Sequence, residues 1–434
     1  MSARTRPLPV SPSAAWLQEG YEHIWMPYTQ MQTAPLPQAA VATEGSRITL
    51  DDGRQLIDGV SSWWSACHGY NHPHIVDAIT RQAQRLPHVM LAGLANEPAF
   101  TLAVRLAEMT PGDLNRVFFS ESGSVAVEIA MKMAAQYWLN QGENGRGTFI
   151  CFDGAYHGDT IAAMSVGDPE DGIHGRFHGL TPAQHRIPLP RTEETRDAFE
   201  SFVAEHADTI AAVILEPLVQ GAGGMIFHDA ETLRTVRDVC DRHGLLLIAD
   251  EIMTGLGRLG TMFACEQAGI VPDIMTLSKS LTGGTLPLAA TIANDRVYEA
   301  FLDDDLDKAL MHGPTFTGNA LACAAANASL DLFEREPRLE QVRGIEAHMV
   351  SALEPCRGKE GIWGNVLDVR VRGAIGVVEI ESIGDMNGLR ARFLKEGCWI
   401  RPFGNIVYLM PAFTIGTDDL TALTDAVVRV IGEA

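Results

Sequence analysis

The chain has 434 residues, of which 46 % are apolar and 20 % charged, and its formal net charge is −22. That length exceeds the usual reach of one core, so two domains, or one with large additions, are expected. The composition excludes a disordered, collagenous or coiled-coil chain, and so acidic a surface argues against nucleic-acid and anionic-membrane partners.

The N-terminal stretch MSARTRPLPVSPSAAW has no apolar core of signal-peptide length. No run approaches 18 apolar residues, LPLAATIA and LLLIA being far too short to span a bilayer. The seven cysteines are scattered without a C-x-x-C pair, so neither a disulfide framework nor a zinc site is indicated. A soluble protein of a reducing compartment, the cytoplasm, is the expectation.

Residues 1–60 start Pro-rich and then form short strands, with a D-D-G turn inside RITLDDGRQLIDG. From 61 to 325, short unalternated runs (RVFFS, GTFICF, AAVILEP, LLLIADE, DIMTLSK) alternate with helical stretches (VAVEIAMKMAAQYW, ETLRTVRDVCDRH, NALACAAANASLDLF). Strands buried on both faces between helices predict an α/β domain with a largely parallel sheet. From 326 to 434, LDVRVRGAIGVVEI and CWIRPFGNIVYLMP alternate as strands, and TDDLTALTDAVVRVIGEA closes as an amphipathic helix with Thr417 as N-cap. This smaller α+β piece is expected to pack with the N-terminal segment.

Ligands of such sheets bind at the carboxyl ends of strands. There stand Ser120 to Ser124, Asp153 to Asp159, Glu216, Asp250 with Glu251, and Lys279. Lys279 is one of only five lysines and follows an apolar strand, where burial frees an amine for Schiff-base formation. By itself it also fits a lysine whose stem lies along a strand end. Asp250 ends the most apolar run and suits a protonated pyridine nitrogen, or equally a structural cap. Ser122-Gly123-Ser124 opens a helix with free amides, a phosphate site or an ordinary cap. Tyr156, in Tyr156-His157-Gly158-Asp159, could stack on a flat ring or fill core. His157 and His312 lack metal-ligand spacing, so no metal is assigned. Gly255-Leu256-Gly257-Arg258-Leu259-Gly260 fits G-x-G-x-x-G literally, which makes a nicotinamide enzyme the rival. Residues 250–254 intervene between strand and glycines, however, and the next strand ends in Lys279 rather than in a ribose-binding acid.

Taken together, Asp250, Lys279, the S-G-S turn and Y-H-G resemble the class III aminotransferases, pyridoxal phosphate enzymes of fold type I. HIWMPYTQM, GVSSWWSACHGYNHP, ESGSVAVEIAMKMAAQYW, AYHGDTIAAMSV, EPLVQGAGGM, HGPTFTGNALACAAANASL and IRPFGNIVYLMP extend the likeness over nearly the whole chain. They are most similar to the branch that carries the amino group of S-adenosylmethionine to 8-amino-7-oxononanoate in biotin synthesis. The alternative is a member acting on ω-amino acids or diamines.

The resemblance implies pyridoxal 5'-phosphate as cofactor, a seven-stranded sheet and a homodimer with shared active sites. It implies that Lys279 carries the internal aldimine and then shuttles the proton, that Asp250 pairs with the pyridine nitrogen, and that Gly123 and Ser124 take the phosphate. Pro314 and Thr315 would reach the neighbouring subunit's cofactor phosphate, and Tyr156 would stack on the ring. Tyr28, Trp63 and Gly313 would line the substrate pocket, with Arg401 facing the keto acid's carboxylate. Asp159 and Arg258 would support these. Trp64 is expected in the core, since neighbours on an extended segment face opposite ways. Two departures stand out: Ala222 replaces the Glu of many ω-amino acid transaminases, and Met253 their Gln. Within the biotin-synthesis branch, Met253 stands where Ala is usual and Ala320 where Pro is. Both changes suggest altered packing, and Met253, near the ring, bears on amine-donor preference.

Overall fold

The apolar runs of the middle region meet in one sheet. The computed structural model describes residues 15–169 and 174–433, so the Pro-rich start lies outside the described residues. The sheet contains β1 (Leu114–Ser120), β2 (Thr148–Phe152), β3 (His185–Ile187), β4 (Ile210–Leu215), β5 (Leu246–Asp250), β6 (Ile274–Leu277) and β7 (Ala289–Asn294). Their order is β1-β7-β6-β5-β4-β2-β3. β7 runs antiparallel to both neighbours, and every other adjacent pair is parallel.

Every residue of β4, β5 and β6 is buried. Successive side chains leave a strand on opposite faces, so one strand feeds two cores. Ile274 joins a cluster with Val127, Ala130 and Ala134 of the Gly123–Asn140 helix. Met275, the next residue, joins Leu102 and Leu106 of the Glu97–Met109 helix and Cys323 and Leu330 of the Ala320–Arg335 helix. Two strands escape the sequence pattern. β3 is three half-buried residues on the sheet's edge, too short and polar to register. β7 lies within LPLAATIAN, a run weighed only for membrane-span length.

The chain divides into two compact units. The larger holds residues 63–67 and 73–344; the smaller holds the described residues up to 62 with 68–72 and 345–434. The expected boundary at 326 falls inside the Ala320–Arg335 helix, which belongs wholly to the larger unit. In the smaller unit the two terminal segments share a sheet: Ala40–Glu44, Arg47–Leu50 and Gln55–Asp58 run antiparallel, and Gln55–Asp58 pairs in parallel with Cys398–Trp399. A second antiparallel sheet joins Val366–Arg372, Ile375–Ile380 and Ile406–Leu409. The D-D-G turn forms with Gly53 at φ 85°, a conformation glycine adopts without steric cost.

Two local expectations need correction. Thr417 is the first residue of the closing helix rather than its cap; Gly416 occupies the cap position and offers no side chain. Residues Ser61–Trp64 are not extended but form a left-handed turn with φ between 46° and 75°. Asp58 holds the start of that turn, its Oδ1 accepting Val60 N–H at 2.8 Å and its Oδ2 Ser62 N–H at 2.9 Å.

Candidate active site

The site is built in the larger unit from the segments that leave the carboxyl ends of β1, β2, β4, β5 and β6. Asp250 is the last residue of β5, 4 % exposed. Its Oδ1 accepts from Ile252 N–H at 3.1 Å and Thr276 Oγ1 at 3.2 Å, and its Oδ2 from His157 Nδ1 at 2.7 Å. A carboxylate has about four lone-pair positions, so one acceptor position remains. His157 is 2 % exposed. Burial alone would depress it, but the hydrogen bond and charge of Asp250, with the charge of Glu216, raise it above its usual value.

Lys279 opens the short Lys279–Thr282 turn after β6, with φ 25°. A non-glycine residue held in the left-handed region stores strain, and such positions cluster at functional sites. Burial lowers its amine below the usual lysine value, against the opposing charges of Asp250, Glu216 and Asp159. Its Nζ lies 4.8 Å from the centre of the Trp64 ring, within cation–π range. Trp64 is buried, as expected, at 7 % exposure, yet it is more than plain core. It forms a wall of the site, anchored by Ser280 Oγ donating to its carbonyl at 3.3 Å.

The Gly123–Asn140 helix starts where the S-G-S turn predicts. Ser122 is its N-cap, with Oγ accepting from Val125 N–H at 3.4 Å. The first four amides of a helix have no partner within it, so the N–H groups of Gly123 and Ser124 point outward as anion donors. Ser124 Oγ accepts from Asp159 N–H at 3.0 Å, which ties the Tyr156 loop to this helix. Tyr156 donates its hydroxyl to Asp159 Oδ1 at 2.9 Å and stacks on His174, centres 5.5 Å apart. His174 Nε2 lies 2.8 Å from Asp159 Oδ1.

Glu216, 5 % exposed, comes directly after β4. Burial pushes its carboxyl up to about 7; the charge of His157 opposes this and that of Asp250 adds to it.

Sequence reasoning places Lys279, Asp250, Tyr156, Gly123 and Ser124 in one site, and the structure brings them together. It misses His157, His174, Trp64 and Ile252, and marks Glu216 only as a strand-end residue. The adjacency of His157 to Tyr156 is the available signal. Gly313, Pro314 and Thr315 lie on a loop secured beside the end of β1, where Thr317 Oγ1 donates to Phe119 O at 2.7 Å and Lys132 Nζ to Met311 O at 3.1 Å. Gly313 and Thr315 are exposed, as is Trp63 at 42 %. Tyr28, exposed, and Arg401, half-buried, belong to the smaller unit. Arg258 is fully buried, and its guanidinium is lowered by burial to about 10.

The G-x-G-x-x-G match is not a dinucleotide turn. The helix beyond it begins only at Ala264, and its first amides are taken by Glu251, which accepts from Ala264 N–H at 3.0 Å and Cys265 N–H at 2.9 Å. A pyrophosphate would meet a carboxylate there.

A flat, phosphorylated, aldehyde-bearing pyridine fits these residues. Outward amides would serve the phosphate, the spare acceptor position of Asp250 a ring N–H, and Lys279 the aldehyde. The cradle is tight: a Cβ on Gly158 would lie 2.2 Å from Ser124 Oγ, and one on Gly123 would lie 2.9 Å from Ile252 Cδ1.

The sequence profile of the family described as aminotransferase class-III matches residues 28–431. The chain therefore belongs to the class III aminotransferases and is a pyridoxal phosphate-dependent enzyme. It is 42 % identical over 419 residues to the adenosylmethionine-8-amino-7-oxononanoate aminotransferase of Mycobacterium leprae, covering 94 % of this chain and 95 % of that one. The Synechococcus elongatus protein of the same name is 42 % identical over 428 residues, covering 95 % and 99 %. Among solved structures, that of the Methanocaldococcus jannaschii enzyme, again of the same name, superimposes with a TM-score of 0.92 at 35 % identity, covering 97 % and 99 %. A pyridoxal phosphate-bound amine transaminase from an uncultivated Pseudomonas species gives a TM-score of 0.87 at 33 % identity, covering 94 % and 98 %.

Proposed function

We propose that this enzyme transfers the α-amino group of S-adenosylmethionine to 8-amino-7-oxononanoate, forming 7,8-diaminononanoate for biotin. The observation that carries the transamination chemistry is Lys279, strained and depressed by burial, beside the hydrogen-bonded Asp250–His157 pair. The relatives' names and the seven motifs support the choice of substrates.

Pyridoxal phosphate, when bound, supplies the electron sink that makes an amino acid's Cα–H acidic and carries the amino group between two half-reactions. The chain's residues do the rest. Lys279 Nζ would hold the cofactor and would take and return the proton; burial lowers its amine below the usual lysine value, which favours the neutral form a base needs. Asp250 would meet the ring nitrogen with its spare acceptor position, with His157 fixing the carboxylate's orientation. The amides of Gly123 and Ser124 hold the phosphate, and Tyr156 covers the ring. By their motifs, Tyr28, Trp63 and Gly313 would each serve the substrate's body. Arg401 takes the keto acid's carboxylate, a role assigned from its motif.

The enzyme works as a homodimer in the cytoplasm in this reading. Pro314 and Thr315, on a partly exposed loop, would serve the neighbouring subunit's phosphate. Large exposed apolar side chains of the larger unit, Met90, Phe100, Val104, Met311 and Phe316, support such an interface.

The test is spectral. The purified holoenzyme should show a visible cofactor band that S-adenosylmethionine converts and the oxononanoate restores. Lys279→Ala should lose turnover by at least about 10⁴-fold, beyond the usual general acid–base contribution because the covalent anchor goes too. Retained turnover would overturn the assignment, and conversion by another donor such as lysine alone would overturn the choice of S-adenosylmethionine. Arg401→Ala should weaken the oxononanoate half-reaction by ~1.5–3 kcal/mol, the range for a hydrogen bond to a charged group, and affect the other half-reaction less. Equal losses in both would remove Arg401 from that role.

A further inference from the structure

The transfer chemistry leaves Glu216 without a task, yet its two oxygens serve two separate segments of the site. Oε1 accepts from Tyr156 N–H at 3.0 Å, and Oε2 from Gly221 N–H at 2.7 Å. His228 Nε2 lies 3.0 Å from the Glu216 carbonyl oxygen, fixing the strand end behind it. The Tyr156 amide belongs to the loop that carries the stacking ring and His157. The Gly221 amide belongs to a turn packed on another wall: a Cβ on Gly221 would lie 2.5 Å from Met253 Sδ and 3.3 Å from Trp64 Cζ3. Trp64 is the ring against which the Lys279 amine rests.

We propose that Glu216 is a positioning residue: as a carboxylate it clamps the Tyr156 loop and the Gly221 turn together, and on protonation it lets one of them go. The proposal rests on the reading of this cluster as the transamination site. The physical reason lies in hydrogen-bond inventory. A carboxylate only accepts, so both amides are satisfied. The acid carries a hydroxyl hydrogen on one oxygen, and that oxygen then faces an N–H donor with a donor of its own. In a site this buried, one amide loses its partner.

The groups around Glu216 bring this change into the physiological range. His157 favours its ionised form, Asp250 opposes it, and burial opposes it most, placing it at about 7. Lys279 feels the Glu216 charge in turn, which favours its ammonium form. Met253, a departure from the family pattern, and Trp64 both pack directly against the Gly221 turn.

Hydrogen exchange read by mass spectrometry on the holoenzyme tests this directly, at about pH 6 and about pH 8, on either side of the titration and corrected for intrinsic rates. In the wild type, peptides covering 154–159 and 219–225 should both be protected at the higher pH. One of them should lose protection by roughly 10- to 100-fold at the lower pH, the range for a lost hydrogen bond to a charged group. Glu216→Gln, which cannot ionise, should show one weakly protected segment at both pH values. The donor half-reaction of the wild type should fall on the acid side of about 7, and that limb should vanish in the variant. If Glu216→Gln does not fold by thermal melting, Glu216→Asp should keep the pH response with lower protection in both peptides. Wild-type protection independent of pH, or a pH response unchanged in Glu216→Gln, would overturn the clamp. Loss of the visible cofactor band from every protein, wild type included, would instead overturn the site's assignment.

Discussion

Two buried networks of charge lie at opposite ends of the same parallel strands. At the amino ends, Asp273 accepts from Arg237 Nη1 at 2.9 Å, from Leu247 N–H at 2.9 Å and from Asn294 Nδ2 at 3.1 Å. Arg237 also reaches Asp241 at 2.7 Å. Burial would lower Arg237, but the charge and hydrogen bond of Asp273, together with the neighbouring Cys240 and Asp241, more than offset it. The network joins β5, β6 and β7 through Leu247, Asp273 and Asn294, and the Ala230–His243 helix through Arg237. At the carboxyl ends stand Asp250, His157 and Glu216, all buried, with the half-buried Lys279. There Lys279 is pushed toward its neutral form and Glu216 toward its acid form. An arginine stays charged across the physiological range. A mixture of groups displaced toward neutrality can exchange protons, which is how buried charge becomes functional.

Substitutions can break that contrast in either direction. After Lys279→Ala, the largest effect should come from Asp250→Asn, which keeps the shape and removes the acid: turnover should fall by roughly 10²–10⁴-fold in single-turnover assays, comparable to losing a proton-transfer group. The same change removes what raises His157. A raised histidine contributes stability that is present below its ordinary value of 6.5 and is lost as pH climbs through the native value. The variant should lose that contribution, seen as a flatter melting temperature between mildly acidic and mildly alkaline buffer. Asp273→Ala should do the converse, costing about 3 kcal/mol in denaturant unfolding because Arg237 is left buried and undercompensated. Its cofactor spectrum should not move; a spectral shift would mean that the two networks are coupled. Ser122→Ala sharpens the line between support and chemistry. Losing the cap of the Gly123–Asn140 helix should cost about 1 kcal/mol of stability with little change in turnover.

The contrast also explains what can be seen in the sequence. Asp250 and Lys279 are legible because an acid or a lysine ending an apolar run violates the local pattern, and strand ends of a parallel sheet have a known use. Ser122 is legible because capping is a local event. His157, Glu216 and Trp64 are not, because their roles depend on strands far apart in sequence: Asp250 and His157 meet only when β5 and β2 are both placed, with β4 between them. Ser61–Trp64 defeats a local rule in the same way. Its left-handed turn is set by the Asp58 carboxylate and not by any glycine. Thr417 looks like a cap by residue type, and only backbone geometry shows the helix starting one residue earlier than a cap at that position allows.

The order of the strands has a consequence for how this enzyme is made. β1, emerging early from the ribosome, pairs among the described strands with β7, the last strand of this sheet to be synthesised. Until residue 294 is available, β1 has an open edge and the turn at Ser122 beyond it has no fixed sheet beneath it. Such long-range pairing is slow and leaves an exposed edge that favours aggregation while it waits. Capture of the vitamin is thus deferred until the larger unit is complete, and a chain truncated before Ala289 should accumulate as insoluble, colourless protein.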